Sequence, residues 1–272
     1  MIPAFDTHAH LQDEAFAADL EAVVRRMAEA KVGGAVVCGY DAASNVAALD
    51  LASRFPPLFP AVGYHPHEAK DVTPSLLAEL ESLASLPAVV AVGEIGLDFY
   101  RNHSPHDRQR EVLDAQLAIA LRLGKPVSVH SRAAEEEIFE HLAAYSRASS
   151  WRPGGRPIGV MHCFGGASEQ ARRYVDIGFL VSLACTLTYP RNHAARTIAE
   201  DLPLESLVVE TDSPYLPPQD RRGARNEPAN VCRAIESLAA LRGISVGAAA
   251  SATTVNALGL FGVNLPAEVA LR

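Results

Sequence analysis

The chain is short of lysine. Only Lys31, Lys70 and Lys125 occur, so nearly all of its 24 basic side chains are arginines, set against 32 acidic ones for a formal net charge of -8. Proteins that grip a nucleic-acid duplex along its backbone usually show a broad basic face. That mode is excluded here, and any phosphate contact must be local. The four cysteines, Cys38, Cys163, Cys185 and Cys232, form no Cys-x-x-Cys pair. They argue against a disulfide frame or zinc finger and for reduced thiols in a cytoplasmic protein, with Cys163 and Cys185 as wall fillers. No apolar run approaches the roughly 20 residues that cross a bilayer, and MIPAFDTHAH lacks the basic-then-apolar pattern of a signal peptide. Neither a membrane nor an obligate protein partner is expected. There is no internal repeat and no low-complexity tract.

What is present is a rhythm. Apolar runs rich in Val predict strands at about 3–7, 34–38, 58–63, 88–93, 126–130, 157–162, 178–183 and 206–211. Between them lie amphipathic segments. One helix is predicted over Glu14–Lys31, where Phe16, Leu20, Val23, Val24 and Met27 recur at helical spacing. Another runs from about Pro105 through Leu123 and stops at Gly124. About eight strand-helix units in 272 residues match a closed TIM-type (β/α)8 barrel in a single domain, 1–272. An open doubly wound sheet is the alternative, but its ligands gather at one crevice. Two loops depart from the rhythm: SRASSWRPGGRP before the sixth strand, and SPYLPPQDRRGARNEP after the eighth.

Five of the apolar runs end on metal-binding side chains: AFDTHAH on His8 and His10, VVAVGE on Glu94, PVSVH on His130, IGVMH on His162 and LVVETD on Asp212. In a parallel barrel the downstream strand ends share one rim, where such folds keep their chemistry. His8 and His10, two apart in an extended segment, leave the same face. Glu94 lies between Gly93 and Gly96, and a buried carboxylate needs a cation or hydrogen bonds. Any of these residues alone reads as a cap, a turn former or a core histidine. Together, four imidazoles and two carboxylates suit Zn, Mn, Fe or Mg, and six ligands can hold two divalent ions roughly 3.5–4 Å apart, as in phosphoester hydrolysis.

The series FDTHAHL, GYHPHE, VGEIGLDFYR, VSVHSR, MHCFGG, GFLVSLACTLTY, VVETDSPYLPP and RNEPANV resembles the TatD family of metal-dependent deoxyribonucleases, within the amidohydrolase superfamily. The match runs from about Phe5 to Val231. It implies a barrel with a divalent-metal centre that hydrolyses phosphodiester bonds, in characterised members as a 3′–5′ exonuclease on single-stranded DNA, with a role in DNA repair. Carried over by position, His8, His10, Glu94 and Asp212 would hold one ion, and Glu94, His130 and His162 the other, with Glu94 as the bridge. His65 in GYHPH would contact the phosphate or leaving group. The chain departs from the family at Ser182–Leu183–Ala184–Cys185, where many members are glycine-rich, which bears on substrate range.

Such a site would use Asp212 to orient and deprotonate a water, with His65 and the ions meeting charge on the phosphoryl oxygens. Arg101, Arg132, Arg191, Arg221, Arg222 and Arg225, with Asn226, follow strands and could hold flanking phosphates of single-stranded DNA or DNA ends. Tyr64, Phe99, Phe164 and Tyr215 could stack on bases. Two other readings compete: a hydrolase of the same fold acting on an aminoacyl-tRNA ester or a small ester or amide, and a non-catalytic metal-dependent binding protein. The latter should have lost ligands, and every ligand position is filled.

Overall fold

The computed structural model describes residues 2–149 and 155–266, so residues 150–154 of the SRASSWRPGGRP connection lie outside the described residues. Eight parallel strands follow one another in chain order: β1 (Ala4–Ala9), β2 (Val32–Cys38), β3 (Leu58–Val62), β4 (Ala91–Asp98), β5 (Val127–Arg132), β6 (Gly159–Met161), β7 (Phe179–Ala184) and β8 (Leu207–Glu210). Each is followed by a helix: α1 (Leu20–Glu29), α2 (Ala42–Arg54), α3 (Pro74–Ala84), α4 (His106–Leu123), α5 (Glu135–Ala148), α6 (Ser168–Asp176), α7 (His193–Asp201) and α8 (Val231–Arg242). This is the TIM-type (β/α)8 barrel expected from the strand count. A ninth helix, α9 (Val246–Phe261), is tied to the strand starts, since Thr254 donates to Pro3 O at 3.0 Å and Asn256 to Leu204 O and Leu207 O at 2.9 and 2.8 Å.

The apolar side chains form two clusters. The larger lies between strands and helices, and the smaller takes Phe5, Val36, Ala61, Ala91, Val160, Leu180 and Val208 from seven strands, plus Leu260 and Phe261 of α9. The second is what a filled barrel interior requires. No single helix among the described residues is long and apolar enough to cross a membrane; α8 and α9 pass only as a pair bent by 115°.

The ring closes narrowly. Between β8 and β1 there is a single parallel bridge, Ala9 with Ser213. Side chains reinforce it: Asp6 accepts from Thr211 N at 2.9 Å and Thr211 Oγ1 at 2.6 Å, and Thr7 Oγ1 donates to Val209 O at 3.0 Å. Burial, only partly offset by those hydrogen bonds, raises the Asp6 carboxyl to about 8.

Two elements differ from expectation. Glu14–Lys31 is not one helix: a 3-10 turn at Glu14–Phe16, capped by Asp13, precedes α1. The cap satisfies the first amides locally and ends that turn before the helix starts. The fourth strand spans Ala91–Asp98 rather than 88–93, so Glu94 lies within it, and His130 likewise lies within β5. Gly96 permits this pairing. Its φ is 149°, and a Cβ there would meet His130 O at 1.9 Å. Helix α4 ends as expected, on Gly124 at φ 63°.

Candidate metal centre

The six residues expected at strand ends converge on one buried point. Glu94 is its hub: Oε2 lies 3.4 Å from His8 Nε2 and 3.6 Å from His10 Nε2, while Oε1 lies 3.2 Å from His130 Nδ1 and 3.7 Å from His162 Nε2. Asp212 Oδ1 is 3.6 Å from His10 Nε2 and 3.7 Å from His162 Nε2. Asp212 itself takes a left-handed backbone, φ 58°, which Asp tolerates better than most residues. That turn follows β8 and faces its carboxylate to the first strand's histidines.

The ring nitrogens pointing away from this centre fix what the inward ones can do. His10 Nδ1 donates to Cys38 O at 2.9 Å, so its Nε2 carries a lone pair. His162 Nδ1 lies 2.9 Å from Glu210 Oε1, and His130 Nε2 lies 3.4 Å from Asp98 Oδ2, so a carboxylate stands behind each of these rings. Carboxylates and carbonyls behind imidazoles are the arrangement that orients metal-binding histidines. His8 presents Nε2 inward, with Nδ1 at 3.4 Å from both Ser128 Oγ and Cys38 Sγ. Asp98 is anchored in turn by the amides of Tyr100 and Arg101 and by His67 Nε2 at 2.8 Å.

His65 is the exception. Its Nδ1 accepts from His67 N at 3.1 Å, so a neutral ring carries its proton on Nε2, which faces Glu94 Oε1 at 3.5 Å. Burial lowers its pKa to about 3, which keeps the ring neutral. His65 satisfies the distances of a ligand group with Glu94 and His130. Its tautomer makes it a hydrogen-bond donor instead.

The residues fit a divalent cation on chemical grounds. His8 Nε2 and His10 Nε2 are 3.2 Å apart, close enough for both ring nitrogens to face one cation. Glu210 Oε2 is buried with no hydrogen-bond partner and Oε1 meets only His162 Nδ1, so negative charge is concentrated behind the cluster. Burial alone would lower His162, yet Glu210, Glu94 and Asp212 raise it to about 10. For Glu94, burial alone would raise the carboxyl. His65 and His162, with His130 and His8 close by, outweigh it and hold Glu94 well below the usual carboxylate range. Three groups have atoms within reach of one cation: His8 with His10 and Asp212, His8 with Glu94 and His162, and His65 with Glu94 and His130. His130 and His162, expected to share an ion, fall in different groups, with ring centroids 6.4 Å apart.

Beside the cluster, a cleft of about 960 Å³ extends over the loops after β5 to β8; His130, His162 and Asp212 lie in its wall, with Arg132, Arg191, Arg222 and Phe164. Arg222 lies over the Tyr189 ring at 5.0 Å and Arg132 over Tyr100 at 4.2 Å. Arg101 is exposed beside Tyr100, and Arg221 is exposed outside the cleft wall. Two expected phosphate contacts are engaged elsewhere. Arg225 binds Asp19 at 2.7 and 2.9 Å and covers Phe16, because its loop folds back over α1. Asn226 is fully buried, donating to Thr211 O and Leu216 O and accepting from Asn230, and so pins the loop after β8. Of the aromatic residues, Tyr64 is buried and Phe99 is stacked on His106.

The sequence matches the family described as TatD related DNase over residues 5–262. It is 36% identical over 261 residues to an uncharacterized metal-dependent hydrolase, YabD, of Bacillus subtilis, covering 96% of this chain and 99% of that protein. It is 34% identical to the 3′-5′ ssDNA/RNA exonuclease TatD of Erwinia amylovora, covering 95% of this chain and 100% of that one. Among solved structures it matches YjjV, a TatD homologue from Escherichia coli, with TM-score 0.89 and 35% identity over 97% of this chain and 100% of the other.

Proposed function

The chain belongs to the TatD-related DNase family of metal-dependent hydrolases acting on ester bonds, and from that membership we propose that it is a 3′–5′ exonuclease on single-stranded DNA, working in the cytoplasm with two divalent ions. The observation that carries the reading is the junction of a buried six-ligand cluster with an arginine-lined cleft. His8, His10 and Asp212 would hold one ion, His130 and His162 would serve the other, and Glu94 has one oxygen facing each set. Four imidazoles favour Zn, Fe or Mn over Mg. Bound there, such ions supply positive charge to the phosphoryl oxygens and acidify water.

The remaining work falls to side chains. Burial would raise the Asp212 carboxyl, but His10 and His162 beside it hold it down, so it is ionised and able to take a proton from the attacking water. Its side chain, 15% exposed, opens on the cleft. His65 offers Nε2–H to the oxygen on which charge develops, the 3′ oxygen of the shortened strand or a phosphoryl oxygen. Arg132, Arg191 and Arg222 hold the flanking phosphates. A small ester or amide substrate gives those three guanidinium groups nothing to bind, which favours a nucleic-acid substrate.

The test is a 5′-labelled single-stranded oligonucleotide incubated with protein stripped by chelator and then reloaded with Mn, Zn or Mg. The expected result is no cleavage when stripped and a ladder shortening from the 3′ end when reloaded. Full activity without metal, or hydrolysis of a simple carboxylic ester with no cut in the oligonucleotide, would overturn the reading.

A further inference from the structure

The rim is divided by charge. Over β5 to β8, Arg132, Arg191 and Arg222 face the cleft, and none has an acidic partner among the described residues, whereas Arg26, Arg110, Arg173 and Arg225 elsewhere are ion-paired. Glu135, in the same wall, is occupied by the Ala133 amide. Over β1 to β3 the character reverses. The Tyr40 ring lies 5.5 Å from His10, and Tyr215, 55% exposed, reaches in from the loop after β8 to 6.2 Å from His10. Tyr215 Oη donates to Asp13 Oδ2 at 3.3 Å. Asp13 caps the turn that Glu14 opens, Asp41 next to Tyr40 caps α2, and Glu68 lies in the 3-10 turn that starts after His65, so the loops after β1, β2 and β3 bring four acids to the shelf that the two tyrosines make; burial and then these acids push the Tyr40 phenol up. None of the four has a basic partner among the described residues. The sheet order separates the loops after β1 to β3 from those after β5 to β7, and the loop after β8 reaches both, with Tyr215 on the shelf and Arg222 in the cleft.

We propose that this division makes the enzyme read the strand end: the arginine cleft holds the strand on one side of the scissile phosphate, and the Tyr40–Tyr215 shelf receives one terminal nucleoside with no phosphate beyond it. This rests on the exonuclease reading above and adds a specificity to it. A nucleoside presents a flat, uncharged face that stacks on tyrosine. A phosphate following that nucleoside would be brought against Asp13, Glu14 and Glu68, and like charges in a partly desolvated site repel. Internal cleavage places such a phosphate there on every attempt, so the same acids select against it.

Three single-stranded DNAs of one sequence test the proposal: one ending in a 3′-hydroxyl, one ending in a 3′-phosphate, and a closed circle. The 3′-phosphate end should be cut with kcat/KM at least about tenfold lower than the 3′-hydroxyl end, the effect of roughly one close like-charge contact, and the circle should persist. The triple variant D13N, E14Q, E68Q should bring that ratio to within about threefold, as removal of the repelling charges requires. Asn retains the cap that Asp13 gives the 3-10 turn. Should the triple variant fold poorly, E14Q with E68Q must still narrow the ratio. Equal cleavage of both ends by the wild type, or a ratio unmoved in the variants, overturns this inference and leaves the exonuclease standing. Failure to shorten the 3′-hydroxyl strand overturns both.

Discussion

At the start of β1, Phe5 packs its ring 5.7 Å from Phe59 and 6.1 Å from Phe261, over Gly34, where a Cβ would meet the Phe5 ring at 2.7 Å. Three residues later on the same strand, His8 turns into a cluster of imidazoles and carboxylates whose polar atoms lack full hydrogen bonding. The floor is apolar, close-packed and locally satisfied. The cluster at the rim is buried too, but it is built of imidazoles and carboxylates, and some of its polar atoms have no hydrogen-bond partner. One end of the barrel is therefore where stability should be measured, and the other where activity should be.

The sharpest break in that comparison is Glu94→Gln. Because its two oxygens face all four ligand histidines, the change should lower kcat/KM on an oligonucleotide by at least about 10³-fold, while calorimetry should find the melting temperature within about 3 °C of wild type. A large drop in melting temperature would show that the cluster holds the fold together. The converse is Phe5→Ala, which should cost about 3–5 kcal/mol of stability in denaturant unfolding and leave kcat/KM per folded molecule nearly unchanged. A smaller effect separates charges within the rim. Replacing Arg132, Arg191 and Arg222 with Ala should raise KM for single-stranded DNA about tenfold and flatten its salt dependence. Hydrolysis of bis-p-nitrophenyl phosphate should hardly change, and equal losses on both substrates would remove these arginines from strand binding. Least affected should be Arg225→Ala: a loss of about 1 kcal/mol in stability through Asp19 and Phe16, with KM unaltered.

The barrel and the gathering of six metal-binding side chains were legible because the strands repeat at regular intervals and five of the eight apolar runs end on side chains that have no business in an apolar core. Less was read from parity, although the signal was there. Side chains two apart on a strand share a face, so Asp6 belongs with His8, Asp98 with Glu94, and Glu210 with Asp212. Asp98 and Glu210 lie behind His130 and His162, and Asp6 ties the first strand to the last. Other features had no local signature. The proton position on His65 depends on the His67 amide folding back over it. Arg225 and Asn226 looked like neighbours of Arg221 and Arg222, but the loop's path carries them inward, to α1 and to the turn after Asp212.

The narrow closure of the ring has a consequence for when the enzyme can exist. Asp6 and Thr211, whose bond helps close it, are 205 positions apart, and His10 meets Asp212 across a similar separation in sequence. Contacts of such separation form late, since the intervening chain must first be ordered. On the ribosome, a chain that has completed seven strands already carries five of the six ligands, but its first strand has nothing to close against. The nascent protein thus passes most of its synthesis with its histidines uncommitted, and competence arrives with the eighth strand.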